Sequence, residues 1–204
     1  MRLVVGLGNP GPEYEWTRHN VGFHVVEAVA RRAKVFFEAS RKLEGWKGRS
    51  DFVFARLAQP EAVIVKPHCY MNLSGDVVAP LARQLALAPD RILVVYDDFD
   101  LPLGAKRLRA RGGPGTHNGM RSLVNRLAAE FPDHPAGEFP RLRIGIGAAG
   151  TDAARHVLER FNPKERTEIE IAVEEAADAV LDWLRTGDID GCMARYHSRW
   201  NQGV

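Results

Sequence analysis

The chain has 204 residues, 45% of them apolar and 26% charged, which is enough apolar material to bury a sizeable core in a single domain over 1–204 and argues against disorder. Its two cysteines, Cys69 and Cys192, are too far apart for a C-x-x-C redox or metal motif, so a reduced, intracellular protein is expected. No apolar run approaches the roughly 20 residues of a membrane helix, and the N-terminus leads straight into strand-like sequence, so the expectation is a cytoplasmic protein without a membrane partner.

The first strand is read over Arg2–Leu7, followed by a helix over Asn20–Ala33. Strands over Phe52–Leu57 and Ala62–Lys66 come next, then a helix from about Gly75 to Leu87, in which Pro80 predicts either a late start or a kink. Strands over Ile92–Tyr96 and Ala105–Arg109 precede a helix over Asn118–Glu130. A strand over Leu142–Ile146, a long helix over Pro163–Arg185 and a short C-terminal turn from Ile189 complete the pattern. In the long helix Ile169, Val173, Ala176, Val180 and Leu184 repeat at helical spacing and leave the acids outward. Such alternation implies an α/β fold, a sheet covered by helices on both faces.

The net charge of +2 conceals an asymmetry. Residues 101–126 hold Lys106, Arg107, Arg109, Arg111, Arg121 and Arg126 and no acid, whereas residues 165–190 hold nine acids against Arg166 and Arg185. Charge runs read either as solvated faces or, for the basic one, as a footprint for a phosphate backbone.

The stretch after the first strand carries Gly6-x-Gly8-x-x-Gly11, which matches the dinucleotide fingerprint. That fingerprint needs an immediate helix whose N–H groups hold a pyrophosphate, but Pro10 and Pro12 remove donors and the helix begins only near Asn20. The acidic residue expected at the end of the next strand is also missing, because Glu27 falls within the helix. The glycines are better read as shaping a turn that carries Asn9 and leads to His19.

A histidine at a helix N-terminus is kept neutral by the helix dipole and able to accept a proton, although without a partner it is more often a cap or a packing residue. Asp97 supplies a partner: it follows the strand ending at Tyr96, and that end adjoins Asn9 if the two strands are parallel. A carboxylate on one ring nitrogen fixes the tautomer and stabilises the imidazolium formed at the other, so dipole and carboxylate push the pKa in opposite directions. Asp97, Asp98 and Asp100 could instead hold magnesium, but no further acids gather near a Gly-rich loop to share it. The run Gly112–Gly119 reads as a flexible connector with a helix cap, or as a mobile wall presenting Asn118 beside Arg107, Arg109 and Arg111. Asn72, in Tyr70-Met-Asn-Leu-Ser-Gly75, adds a third amide, and three such asparagines suggest an amide-lined groove.

Taken together, Gly6-Leu-Gly-Asn-Pro-Gly11, Thr17-Arg-His-Asn20, Tyr70-Met-Asn-Leu-Ser-Gly75, Tyr96-Asp-Asp-Phe-Asp-Leu-Pro102, His117-Asn-Gly119 and Arg141-Leu-Arg-Ile-Gly-Ile-Gly147 resemble bacterial peptidyl-tRNA hydrolases over nearly the whole chain. The resemblance implies a monomeric α/β domain with a twisted, mixed, largely parallel sheet, and hydrolysis of the ester joining a peptide to the terminal ribose of tRNA. On that likeness His19 would activate water, Asp97 would hold it in its basic form, and Asn9 would sense the blocked amino group. Tyr14, Tyr70, Asn72 and Asn118 would contact the peptidyl-adenosine end, and Arg109 and Arg143 a tRNA phosphate. The chain departs from the family pattern at Pro114 and Thr116, which bear on loop stiffness, and at Tyr70, where phenylalanine is common.

Residues and resemblance agree on a reaction without metal or other cofactor. Water held by His19 and an asparagine attacks the ester, and donors near Asn9 and Asn72 stabilise the oxyanion. A covalent acyl-enzyme is the less favoured route, since neither Cys69 nor Ser74 has an activating neighbour in sequence. The tRNA, as partner, would be held through its acceptor end and phosphate backbone by salt-sensitive contacts. The alternative is a protein that keeps the fold and binds RNA without hydrolysis; His19, Asp97 and the three asparagines favour the enzyme.

Overall fold

The computed structural model describes residues 1–48 and 51–201. Seven strands form one sheet: β1 (Arg2–Gly6), β2 (Glu38–Ala39), β3 (Phe52–Leu57), β4 (Ala62–Pro67), β5 (Ile92–Asp98), β6 (Lys106–Arg109) and β7 (Arg141–Gly145). Among the described residues six α-helices accompany them: α1 (Val21–Arg32), α2 (Ser74–Gln84), α3 (Asn118–Glu130), α4 (Ala153–Leu158), α5 (Pro163–Thr186) and α6 (Ile189–Asn201). The strand order is β2-β3-β4-β1-β5-β7-β6. β4, β1, β5 and β7 run parallel, whereas β2, β3 and β6 pair antiparallel at the two flanks, so the sheet is mixed with a parallel centre.

The central strands are apolar on both faces because both faces are covered. Successive side chains alternate between two cores: Leu3, Val5, Ile92 and Val94 pack with Val78 and Leu81 of α2 and Met120 and Leu123 of α3. Val4, Leu93 and Val95 pack on the other side with Val25 and Val29 of α1 and with Ile169, Val180 and Trp183 of α5.

The acidic run is largely engaged within the fold. Glu174 and Asp178 of α5 pair with Arg31 and Arg32, Glu175 with Lys106, and Asp182 with Arg185 and Arg195. These carboxylates fasten α5 to α1, β6 and α6.

Two local expectations are corrected by the structure, the late start of the second helix and the short C-terminal turn, and two short elements were not expected. Pro80 lies inside α2, which begins at Ser74 rather than late and ends at Gln84. The exposed position of Pro80 leaves its ring and the freed turn carbonyl on the water side. The C-terminal segment is a helix of 13 residues, not a short turn: Ile189, Met193, Tyr196 and Trp200 pack on the core at helical spacing. From α6, His197 Nε2 accepts from Leu108 N at 3.1 Å, covering the backbone of the edge strand β6. The remaining differences are β2 and α4, two and six residues long, too short for periodicity to show.

Candidate active site

β1 and β5 are parallel, and Leu7 N extends the pairing by donating to Val95 O at 2.9 Å, so both chains leave the sheet side by side. Helix α1 then crosses this end at very short range. A Cβ on Gly22 would lie 2.4 Å from Val95 O and 2.6 Å from Leu7 O, and one on Gly6 would lie 2.4 Å from Gly22 O. Gly6, the first glycine of the false fingerprint, and Gly22 of α1 therefore permit backbone contact between strand and helix. His19 stands in the 3-10 turn Arg18–Asn20 just before α1 and is delivered to the end of β5. Its neighbour Arg18 fixes the turn, donating to both Glu165 oxygens at 3.0 and 2.9 Å and to Ile146 O at 3.1 Å.

His19 Nδ1 lies 2.8 Å from Asp97 Oδ1, and the same oxygen lies 3.0 Å from His117 Nε2. The backbone settles the proton on His117. This residue caps α3, with Nδ1 accepting from Met120 N at 3.1 Å, so the neutral ring must carry its hydrogen on Nε2 and donate to Asp97. Asp97, 2% exposed, then accepts from two rings, and His19 in its neutral form donates from Nδ1 and keeps Nε2 as the basic atom. Burial raises the Asp97 pKa, but the charge and hydrogen bonds of the two imidazoles outweigh it and hold the carboxyl below the usual carboxylate range. For His19 burial lowers the pKa, and the Asp97 charge and hydrogen bond more than reverse this. The carboxylate acts on this histidine in the expected direction, and the influence it overcomes here is burial.

A cavity of about 550 Å³ opens over these groups. His19, Asp97 and His117 form one wall, the loop Gly112–Asn118 another, and Arg109, Arg141 and Arg143 the side toward β6 and β7. Arg109 has no ion-pair partner among the described residues; it reaches only the carbonyl of Leu108 at 3.2 Å. Arg143 is held by Asp98 through Nε, so any anion it met would share it with a carboxylate.

Asn118 is exposed on the cavity wall, whereas Asn9, Tyr14, Tyr70 and Asn72 do not line it. Asn9 is 8% exposed and fixed on three sides: its N donates to Asn20 Oδ1 at 2.8 Å, its O accepts from Asn20 Nδ2 at 2.9 Å, and its Oδ1 accepts from Met71 N at 3.0 Å. This orientation leaves Nδ2 as the available donor. Asn72 is exposed in the 3-10 turn Met71–Leu73, which adjoins the start of α3 through the contact of Met71 Sδ with Gly119. Tyr14 is half-buried and Tyr70 is 65% exposed.

Sequence reasoning missed His117, although its place directly before the helix in the Gly-rich run is a cap position and could have marked it. It also missed Ala153, Ala154 and Val157 of α4, which line the cavity; the signal was Asp152, whose side chain accepts from Arg155 N at 3.0 Å as the cap of α4. Among the described residues, His19, Asp97 and His117 are the one group of His, Cys and acidic side chains close enough to share a cation. A metal on His117 Nε2 would require moving its proton to Nδ1, where the Met120 N–H already points. The donor set fits a hydrogen-bond relay better than a metal. The magnesium alternative at residues 97–100 loses its ligands similarly, since Asp98 binds Arg143 and accepts from Asp100 N at 2.9 Å.

A family model described as peptidyl-tRNA hydrolase matches residues 3–203. Among curated relatives, the peptidyl-tRNA hydrolase of Nocardia farcinica is 46% identical, the match covering 91% of each chain. That of Syntrophomonas wolfei is 42% identical over 97% of this chain and all of its own. The crystal structure of peptidyl-tRNA hydrolase from Acinetobacter baumannii superposes with a TM-score of 0.83 at 32% identity, covering 96% of this chain and 94% of that one.

Proposed function

Because the chain belongs to the peptidyl-tRNA hydrolase family, and is a hydrolase of peptidyl-tRNA, we propose that His19 is the base of that reaction. The observation that carries this reading is the shared Asp97 oxygen, which commits His19 Nδ1 to donation and leaves Nε2 for the substrate side.

A water oxygen attacks the ester carbonyl carbon as its proton passes to His19 Nε2, giving a tetrahedral oxyanion and an imidazolium beside Asp97. The bond from carbon to the ribose oxygen then breaks, and the imidazolium returns the proton to that oxygen, leaving free tRNA and a peptide carboxylic acid. The buried carboxylate stabilises the charge where it appears. Asn9 is suited to read the blocked amino end, since its Oδ1 is occupied by Met71 N and its Nδ2 can donate to an acyl carbonyl. Asn118 from the cavity wall, with Asn72, Tyr14 and Tyr70 outside it, would hold the peptidyl-adenosine end. Arg109, with Arg143 beside it, would meet the phosphate backbone. No metal enters these steps, and the enzyme is taken to act as a monomer in the cytoplasm.

The test is release of N-acetyl-aminoacyl groups from tRNA by the wild-type, His19→Ala and Asn9→Ala proteins. His19→Ala should lose at least 100-fold in kcat, a loss on the order of what a general base contributes. Asn9→Ala should lose discrimination against free aminoacyl-tRNA. Undiminished turnover by His19→Ala would sink the base assignment, and tRNA binding without turnover by the wild type would favour the RNA-binding alternative.

A further inference from the structure

Arg141 opens β7 and is 2% exposed, yet it has no carboxylate partner among the described residues. Its guanidinium is satisfied by carbonyls: Nη1 donates to Gly113 O at 2.8 Å, Nη2 to Gly137 O at 2.7 Å and Nε to Phe139 O at 3.4 Å, with the Phe139 ring centroid 4.5 Å away. A buried cation is costly unless its donors are all used, so the groups it recruits show what it is there to hold.

Those groups join two segments. Gly113 belongs to the Gly-rich loop, and Gly137 O also accepts from Gly112 N at 3.1 Å. The two backbones are so close that a Cβ on Gly137, at φ +81°, would lie 2.3 Å from Gly112 O. The other end of the loop is held by Arg121 Nη2, which donates to Thr116 O at 2.9 Å. Between these fixed points Gly115 has φ +58°, and a Cβ built there would meet nothing within 4 Å among the described residues. His117 and Asn118 follow at once, the first on Asp97 and the second on the cavity wall. Arg141 also interacts with Tyr96, whose ring meets His117 edge-on with centroids 4.9 Å apart.

We propose that Arg141 is a positioning residue for the reaction, its guanidinium clamping the Gly-rich loop to the 137–139 segment so that His117 meets Asp97 and Asn118 faces the cavity. A fork is required because two carbonyls from different segments are held at once by separate nitrogens, which an ammonium on a flexible stem does not reproduce. The activity arm of the test rests on the reading of His19 as base; the structural arm does not.

The experiment compares full-length Arg141→Lys and Arg141→Ala with wild type by amide hydrogen exchange and by turnover of N-acetyl-aminoacyl-tRNA. Exchange over residues 110–120 should accelerate at least tenfold in both variants while β1 and β5 keep their protection, and kcat should fall about tenfold or more with KM within threefold. Unchanged loop exchange in both variants overturns the proposal, as does a loosened loop with undiminished kcat. Loss of the whole fold in both variants also overturns it, since Arg141 would then serve domain stability and not loop position. If His19→Ala retained turnover, the mechanistic reading would fail while the loop-exchange result stood.

Discussion

Asp97→Asn isolates the charge in the relay. The asparagine is nearly isosteric, and its Oδ1 can still accept from His19 and His117; the opposite amide orientation is opposed because His117 Nε2 is compelled to donate by its Met120 cap. The new NH₂ then occupies the place of Asp97 Oδ2, a buried atom with no hydrogen-bond partner among the described residues, which costs stability about 1–3 kcal/mol. The loss of charge costs more in catalysis. A hydrogen bond of 2.8 Å puts the imidazolium charge within about 4 Å of the carboxylate, and at an effective dielectric of about 20 that pair is worth about 4 kcal/mol, or roughly 1000-fold in rate. The pH dependence supplies a second, signed readout. Asp97 is what raises the His19 pKa, so without it burial alone acts and the pKa falls below its ordinary 6.5. With His19 as the proposed base the neutral ring is the active form, so the acid limb of kcat should move to lower pH while the plateau drops. The assay is N-acetyl-aminoacyl-tRNA hydrolysis across about pH 5 to 8, the window around an ordinary histidine. A plateau within tenfold of wild type, or an acid limb that stays in place or moves upward, would refute the reasoning.

Gly22→Ala should destabilise the protein without touching the cavity. Its Cβ would meet backbone oxygens at 2.4 and 2.6 Å, which cannot rotate away, so a cost of about 3 kcal/mol and a drop in Tm of roughly 10 °C are expected; a melting curve within about 2 °C of wild type would contradict the close crossing of α1. Arg109→Ala removes a cation without an ion-pair partner among the described residues, so tRNA affinity should weaken and the slope of log Kd against log salt should fall by about one. An unchanged salt slope in a filter-binding series would remove Arg109 from the phosphate contacts.

Much of the architecture was legible because local sequence and burial agree. Val4 and Val5, or Leu93 and Val94, are consecutive apolar residues that only a sheet covered on both faces can bury. His19 and Asp97 were paired from sequence because parallel strands bring their C-terminal ends together. His117 escaped notice for a physical reason: its place beside Asp97 comes from two bonds made by one ring, to the start of its own helix and to an oxygen 20 residues away. The Gly-rich run showed the freedom of that loop but not the guanidinium that limits it. Charge runs were equally ambiguous, since Glu174 and Glu175 look like a solvated face until α1 and β6 supply their partners.

The sequence by itself determined the alternation of strands and helices, the two-sided core, and the positions where amide, imidazole and carboxylate leave the sheet, since these follow from side-chain periodicity and backbone freedom within short windows. Tertiary structure alone decided which charges are neutralised, which tautomer His117 carries and which Asp97 oxygen it shares with His19. Those outcomes depend on strand order and on backbone approaches set by Gly6, Gly22 and Gly137, and the pairing of His19 with Asp97 spans 78 residues.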